Sequence, residues 1–165
     1  MKLLSCIAVF AAFCGIGVYI WRGYKQRKIF FENLLAFCDH LLVEISFSKN
    51  TVLHVIENYS AGYAVPFQGV LSGYQTLAFQ KQDITHERIA VFMWKRLKAN
   101  ERTVVIDFFY ELGRHGSTEE SQKIQNKKII FDTYFKLAAE SLKRDASIYL
   151  KIFILLGIGA VILLL

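Results

Sequence analysis

Two long apolar segments, one near each end, constrain this chain more than any other feature. The first runs from Leu3 to Trp21 and reads LLSCIAVFAAFCGIGVYIW. At ~1.5 Å per residue, about 19 helical residues extend roughly 30 Å, which is the thickness of the hydrocarbon core of a bilayer. The segment is therefore predicted to be a transmembrane helix.

The second apolar segment runs from Ile148 to Leu165 and contains one charge, Lys151. The uninterrupted part, from Ile152 onward, has only about 14 residues, which is short for a membrane span. A span therefore also needs Ile148 to Leu150, with the ammonium group of Lys151 reaching the lipid headgroups. We expect a second transmembrane helix here, and a buried core helix is the alternative.

The first segment is predicted to be an uncleaved anchor and not a signal peptide. A signal peptide ends in small residues at its cleavage site, whereas this segment continues through Val18-Tyr19-Ile20-Trp21 into basic sequence. Its cysteines are also badly placed for lipid attachment, because Cys14 follows the bulky Phe13 and Cys6 precedes most of the apolar run.

Basic side chains lie at one end of each apolar segment, and such an asymmetry determines the orientation of membrane proteins. Only Lys2 and the amino terminus precede the first segment. Arg22, Lys25, Arg27 and Lys28 follow the first segment, and Lys143, Arg144 and Lys151 flank the inner side of the second. These cations are predicted to determine a topology in which the region between the anchors is cytoplasmic.

The predicted organisation is a transmembrane anchor at 1–21, a cytoplasmic helical-bundle domain at 22–147 and a second anchor at 148–165. The central region has the length of one domain, and no Pro-rich or Gly/Ser-rich linker divides it. Cys38 is its only cysteine, so no disulfide framework is available, as expected in the cytoplasm.

Apolar residues in the central region recur at intervals of three and four, which is typical of amphipathic helices. No segment alternates with the period of two that indicates a strand. Helix starts are predicted at Ser48 or Asn50, Pro66, Asp83 or Thr85, near Asn100 and at Ser117 or Thr118, and helix stops at Gly62 and Gly113. The fold class is therefore all-α, an antiparallel helical bundle flanked by N- and C-terminal transmembrane helices.

The sequence supports three more specific expectations about these helices. The spacing of apolar residues between Arg22 and Glu44 predicts a helix that leaves the membrane without a break. The fourth helix of the central region is predicted to extend through Leu97. Ser117 and Glu120 have the S-x-x-E spacing of a capping box, so they are expected to bond each other's backbone N–H groups at the start of the last helix.

No arrangement of residues typical of a catalytic or metal site is present. His86-Glu87 begins like the helix of a zinc protease, but Ala90 occupies the position of the second histidine. The chain also lacks a phosphate-binding P-loop and a nucleophile elbow. The other histidines are isolated: His40, His54 and His115. We expect no enzymatic activity, no catalytic residue, no cofactor, no metal and no small-molecule substrate.

A central group of cations, Lys95, Arg96 and Lys98, is not explained by membrane topology. One interpretation is a solvated helix face, and the other is a patch that contacts an acidic partner. Nucleic acid is not an expected partner, because most other bases flank the anchors, where topology and anionic lipid account for them.

Several short motifs occur in a recognisable order. A basic exit from the first anchor is followed by Leu42-Val43-Glu44-Ile45-Ser46-Phe47, Leu53, Leu112-Gly113, Gln122 and a terminal anchor that contains Gly157. By this layout the whole chain resembles the stage III sporulation protein AB family. The most specific of its motifs is Leu-x-x-Glu-Ile followed by an aromatic residue.

The chain departs from the family pattern at Thr118, at Phe153 and in the length of one loop. Thr118 stands where the family tends to have Asp, and because Thr is also a helix N-cap the helix start can survive the exchange. The loop after Leu112-Gly113 is about two residues longer. Phe153 replaces a small residue one turn before Gly157, which argues against close helix packing at that turn.

The resemblance implies a role in the membrane complex that endospore-forming bacteria build between mother cell and forespore. Proteins of this family resemble the inner-membrane platform protein of type II secretion and type IV pilus machines. They are expected to act beside a cytoplasmic secretion-type ATPase, stage III sporulation protein AA. The chain would then be a non-enzymatic platform or adaptor in the mother-cell membrane, with other stage III sporulation proteins as partners.

The residues alone leave a different function open. A membrane-tethered helical adaptor or sensor domain, unrelated to sporulation, would also have two anchors and a basic helical domain. Its basic face would bind lipid or a soluble regulator.

Overall fold

Helices account for most of the described residues, which in this computed structural model are 2–45, 52–59, 62–80, 83–114 and 117–164. Helices α1 to α7 span Lys2–Val43, Val52–Tyr59, Val65–Phe79, His86–Phe92, Ala99–Glu111, Ser117–Ser141 and Ser147–Leu164, and a π-helical turn at Leu142–Ala146 joins α6 to α7. None of the described residues lies in a strand. The prediction of an all-α fold is confirmed.

The contacts between residues divide the chain into two units. The terminal unit consists of Met1–Lys28 and Lys136–Leu165, and the central unit of Ile29–Phe135. Helix α1 contributes to both units, because it continues over 42 residues as its apolar spacing predicts. The functional boundaries at 22 and 147 stay a prediction, since the two units describe packing alone.

Aromatic side chains form the core of the central unit. The ring of Phe67 on α3 lies 5.4 Å from that of Phe30, 5.7 Å from that of Phe37 and 6.5 Å from that of Phe109, between centroids. Edge-to-face and tilted rings at these distances attract each other beyond the area that they bury. Six phenylalanines of the unit are fully buried: Phe30, Phe31, Phe37, Phe67, Phe109 and Phe131.

Helix α1 presents one apolar stripe to this core. Phe30, Leu34, Phe37 and Leu41 are fully buried and follow one another at intervals of four, three and four residues. That spacing keeps all four side chains on one face of a helix of 3.6 residues per turn. Packing of this stripe stabilises the part of the helix that belongs to the central unit, since helix propensity alone contributes little.

Helix α3 is fixed at its start and in its middle. Pro66 lies in its first turn, where the missing N–H removes no hydrogen bond, as predicted. A Cβ added to Gly73 would lie 2.3 Å from Cγ and 2.6 Å from Cβ of Phe92, the last residue of α4. The end of α4 therefore packs against α3 at a point where only glycine fits.

Helix α4 is shorter than predicted. It starts after Thr85, whose hydroxyl accepts a hydrogen bond from the backbone N–H of Arg88 at 3.4 Å, and it ends at Phe92 because Met93 is extended (φ −67°, ψ 135°). The predicted extension through Leu97 is wrong. Met93 and Leu97 lie in a turn, and both side chains are buried. Their spacing therefore matches the period of a helix although they do not belong to one.

The junction between α5 and α6 is built around two predicted positions. Helix α5 starts at Ala99, one residue before the predicted Asn100, and Gly113 ends it with a φ of 80°, a conformation that favours glycine. Oε1 of Glu120 accepts a hydrogen bond from the N–H of Gly113 at 2.9 Å. The hydroxyl of Tyr74 donates to the carbonyl of Leu112, so α3, α5 and α6 meet here.

Several other predicted helix boundaries can be compared with the structure only in part. Helix α2 ends at Tyr59, close to the predicted stop at Gly62. Helix α6 starts at Ser117, but its side chain is outside the described residues, so its capping box with Glu120 stays a prediction. The remaining positions outside the described residues are Ser48, Asn50, His115 and Gly116.

Candidate membrane anchor and partner surface

Within the terminal unit, α1 and α7 approach each other closely at Gly17. A Cβ added to Gly17 would lie 3.2 Å from Cβ of Phe153 and 3.3 Å from Cδ1 of Leu150. The expectation that Phe153 prevents close packing is therefore wrong. The opposite helix supplies the small residue, so the bulk of Phe153 fits against the backbone of Gly17.

The reciprocal contact lies closer to the other end of the pair. A Cβ added to Gly157 would lie 3.0 Å from Cδ2 of Phe10 and 3.3 Å from Cβ of Phe13. Residue numbers rise along one helix as they fall along the other, so the two helices are antiparallel. In this register the last turn of α7 lies level with the first turn of α1. Helix α7 therefore extends along α1 nearly to its first turn.

Both helices satisfy the length and composition of a membrane span. Two helical stretches, Leu4–Val43 and Thr118–Leu163, each contain a window of 18 residues that is apolar enough to cross a membrane, and only 11% of each window is buried. The core helix of a soluble protein would bury most of such a window. The exposed apolar surface of the terminal unit is thus the kind that lipid covers.

Aromatic side chains mark the basic end of this helix pair. The ring centroids of Tyr24 on α1 and Tyr149 on α7 are 6.4 Å apart in a stacked arrangement. The ammonium nitrogen of Lys25 lies 5.3 Å from the ring centroid of Trp21. Tyr and Trp concentrate where hydrocarbon meets headgroups, because one end of each ring is apolar and the other polar.

The four cations that follow the first apolar segment, and that are predicted to determine topology, differ in their exposure. Arg22 and Lys25 are exposed, whereas Arg27 is only 6% exposed and Lys28 is half-buried. A charge that is close to the membrane can still orient a helix from a partly buried position. Arg22 and Lys25 are the more exposed of the four cations, so they are the better placed to contact lipid headgroups.

The central cations Lys95, Arg96 and Lys98 lie in the turn between α4 and α5, which we name the basic turn (residues 93–98). All three are exposed. The sequence predicts that these cations lie on a helix face, but α4 ends before them. The turn therefore presents three exposed cations within four residues.

The basic turn has a fixed base in the core. Met93 and Leu97 are buried, and the ring of Trp94 stacks on Phe30 with 5.8 Å between centroids. Oε2 of Glu101 accepts a hydrogen bond from the backbone N–H of Lys98 at 3.0 Å, which caps α5. The backbone of the turn is therefore held by packing and by a cap that do not involve the cationic groups.

The described histidines have structural partners or lie on the surface. Nδ1 of His40 and the hydroxyl of Tyr63 are 2.6 Å apart. Nε2 of His86 is 3.2 Å from Oδ1 of Asp107, and its ring contacts that of Tyr110 at a tilt of 31°, with 3.9 Å between centroids. Within the described residues, no group of three His, Cys, Asp or Glu is placed to hold a metal ion.

Two buried titratable groups are chemically suppressed. Burial is the first cause that raises the pKa of the Cys38 thiol to about 12, and the neighbouring Asp39 adds to it. Burial also raises the pKa of Tyr74 to about 12, with a further contribution from Glu120. Cys38 therefore remains a thiol at neutral pH and is a poor nucleophile.

The two glycines that bring the anchors together were not predicted as helix contacts. In the sequence, Gly17 is part of an apolar run and Gly157 is a residue of the family motif. Their signal was available in principle, because a small residue inside a transmembrane helix often marks a close helix contact. An added Cβ at Gly15 or Gly159 would have no neighbour within 4 Å. Only the register of the helix pair shows that Gly17 and Gly157, and not these two, form the contacts.

A comparison with protein families identifies the chain as a whole. The family model described as stage III sporulation protein AB matches residues 2–165. The chain belongs to this family. Membership gives it a role in stage III sporulation and implies involvement in the stage III sporulation complex. Neither a curated protein nor a solved structure matches the chain.

Family membership also decides between the two functions that the residues left open. The match supports a role in sporulation. An adaptor unrelated to sporulation is not compatible with it. The family is one of sporulation structure and assembly, and its description names no enzymatic activity. The two apolar helices have the length and composition of membrane spans, which fits a membrane-associated member of this family.

Proposed function

We propose that this family member is a non-enzymatic platform or adaptor of the channel complex between mother cell and forespore. The observation that carries the proposal is the family match over residues 2–165. It is supported by the two halves of the structure, a lipid-facing helix pair and a helical unit that presents a rigid basic turn. A platform needs both a seat in the membrane and a surface for partners.

The proposed orientation places the central unit in the cytoplasm of the mother cell. Exposed cations at the inner end of both apolar helices, such as Arg22 and Arg144, support it, because positive charges are retained on the cytoplasmic side. Cys38, the only cysteine of the central unit, is a buried free thiol, which fits a reducing compartment.

A reporter inserted after Gln80 tests this topology. Gln80 is exposed in the turn that follows α3, so an insertion there leaves the helices intact. Alkaline phosphatase inserted at this point should be inactive, and a green fluorescent protein at the same point should fluoresce. The same pair of reporters placed before Lys2 should give the reverse result. Strong phosphatase activity after Gln80 would refute the cytoplasmic assignment.

The basic turn is the proposed contact for a secretion-type ATPase, stage III sporulation protein AA. The sequence contains no P-loop motif, and in an ATP-driven complex the proposed partner would hydrolyse the nucleotide. Exposed cations on a fixed turn accelerate association with an acidic surface, even when each charge adds little affinity. Lys95, Arg96 and Lys98 have this arrangement.

Charge reversal at the basic turn tests the contact. Full-length protein in mild detergent is titrated with the purified ATPase at low and at moderate salt. Lys95→Glu/Arg96→Glu should weaken binding about tenfold or more at low salt, since two attractive charges become repulsive. Adding Lys98→Glu should weaken it further. Binding that remains should depend less on salt, because less of it is electrostatic.

A control on α6 separates a specific face from net charge. Lys123→Glu/Lys127→Glu makes the same charge change one helix away, and the ATPase affinity should stay within about twofold of wild type. Helical content and the fluorescence of Trp94 should be the same in all variants. Absence of binding by the wild-type chain would refute the ATPase contact. Equal loss in both sets of variants would refute the choice of the basic turn.

A further inference from the structure

The net charge of the chain resides in one of its two units. The terminal unit, Met1–Lys28 with Lys136–Leu165, has nine Lys and Arg residues but only two acidic ones, a formal charge of +7. The central unit, Ile29–Phe135, has eleven basic and twelve acidic residues, a formal charge of −1. The +6 charge of the protein therefore belongs entirely to the part that carries the lipid-facing helices.

Exposed cations of this unit lie at one level of the antiparallel helix pair. Gly17 packs against Leu150 and Phe153, so eight residues further along α1 the chain is level with residues 143–144. Lys25 on α1 is thus level with Lys143 and Arg144, and Arg22 lies one turn closer to the membrane. We name Arg22, Lys25, Lys143 and Arg144, which are all exposed, the basic collar.

The π-helical turn gives the collar its shape on the second helix. This turn, Leu142–Ala146, is wider than an α-helical turn, and such insertions often mark functional sites. Lys143 and Arg144 border an open hollow of about 470 Å³ together with Glu140. The hollow is large enough for a lipid headgroup, and two of its three bordering side chains are cationic.

Two acidic neighbours, Asp145 and Glu140, reduce the positive charge of the collar without removing it. Nε of Arg144 donates to Oδ1 of Asp145 at 2.9 Å, and the Arg144 side chain is 79% exposed. A bond through Nε leaves the outer edge of the guanidinium able to donate to a phosphate. The collar thus combines phosphate-binding groups with the adjacent aromatic rings of Trp21 and Tyr149.

We propose that the basic collar is a binding site for the phosphate of an anionic phospholipid. The site is the hollow beside the π-helical turn, and Lys143 and Arg144 are its principal contacts. Arg22 and Lys25 extend the positive surface around α1. The position of the collar favours a lipid ligand over a protein or a nucleic acid. The aromatic rings and the helix register place it where lipid-facing helices leave the hydrocarbon.

Native mass spectrometry of the full chain in nonionic detergent tests the site. The probes are phosphatidylglycerol and, as a neutral reference, phosphatidylcholine. Wild type should bind phosphatidylglycerol at least about tenfold more tightly, since each cation near a headgroup contributes a factor of about five. Lys143→Gln/Arg144→Gln should lower this preference about tenfold. Adding Arg22→Gln and Lys25→Gln should abolish it.

Two further variants distinguish a site from net charge and from misfolding. Lys123→Gln/Lys127→Gln removes the same charge from α6 within the central unit and should keep the full preference. Lys143→Arg/Arg144→Lys keeps the charge at the collar and should also keep it. Equal loss in the α6 variant, or an unchanged preference in Lys143→Gln/Arg144→Gln, would overturn the proposal.

Soluble phosphate is the remaining source of the same chemistry. Glycerol 3-phosphate at millimolar concentration should not displace phosphatidylglycerol, because the lipid is also held by its acyl chains beside α7. Displacement would show that the collar binds a free phosphate and would overturn a lipid site. No ATPase is present in this assay, so its outcome does not depend on the proposed platform function.

Discussion

Replacement of Gly73 by alanine should lower the free energy of unfolding of the central unit by about 2–3 kcal/mol. The new Cβ would lie 2.3 Å from Cγ and 2.6 Å from Cβ of Phe92. These atoms are next to the backbone of α4, so rotation of the ring alone cannot remove the clash. The end of α4 would have to move away from α3, and the basic turn follows directly after it.

The neighbouring glycine on α3 provides a control with the opposite sign. Gly69 has no atom within 4 Å of an added Cβ, so Gly69→Ala should stabilise the unit by about 0.5–1 kcal/mol through helix propensity. Denaturant unfolding of the full chain can be followed by Trp94 fluorescence in a Trp21→Phe background, since Trp94 stacks on Phe30. Similar stability changes in both variants would contradict the close packing of α4 on α3.

The sequence was sufficient where periodicity and composition report on burial directly. The stripe Phe30, Leu34, Phe37 and Leu41 predicted a core-facing helix, and the structure buries all four side chains. The same holds for the apolar anchors, whose length matches a bilayer. In both cases one physical quantity, the pattern of apolar residues along a helix, determines the structure locally.

Periodicity failed at the end of α4, because buried residues can come from a turn as well as from a helix. Ile89, Met93 and Leu97 are spaced by four, as in a helix, and all three are buried. The helix nevertheless ends at Phe92, which packs against Gly73 of a different helix. That contact joins residues 19 positions apart, and no local pattern contains it.

The candidate sites show the same division. The chemistry of the basic turn was visible in the sequence, since Lys95, Arg96 and Lys98 are adjacent. The basic collar was not, because it joins Lys25 to Lys143 through the register of two helices. Arg27 was grouped with its neighbours for its charge, yet it is buried. Side-chain exposure depends on tertiary packing, which a single sequence does not give.

Cysteines placed at Phe13 and Gly157 should form an intramolecular disulfide almost quantitatively, and this tests the register on which the basic collar depends. A Cβ added to Gly157 would lie 3.3 Å from Cβ of Phe13, close to the separation of roughly 3.5–4.5 Å in disulfides. The background is Cys6→Ser/Cys14→Ser. Cys38 can stay, because burial raises its pKa to about 12 and keeps it unreactive.

Oxidation is carried out in membranes and measured as the loss of two hydrogens in the intact mass of the monomer. Gly15→Cys/Gly159→Cys is the matched control, since neither glycine has an atom within 4 Å of an added Cβ, and it should keep its free thiols. A disulfide at Phe13 and Gly157 requires α7 to reach as deep as the first half of α1, so the second anchor must cross the bilayer. A helix lying along the membrane surface could not bring these positions together. Free thiols in the Phe13/Gly157 variant, or cross-links only between two chains, would refute the antiparallel register.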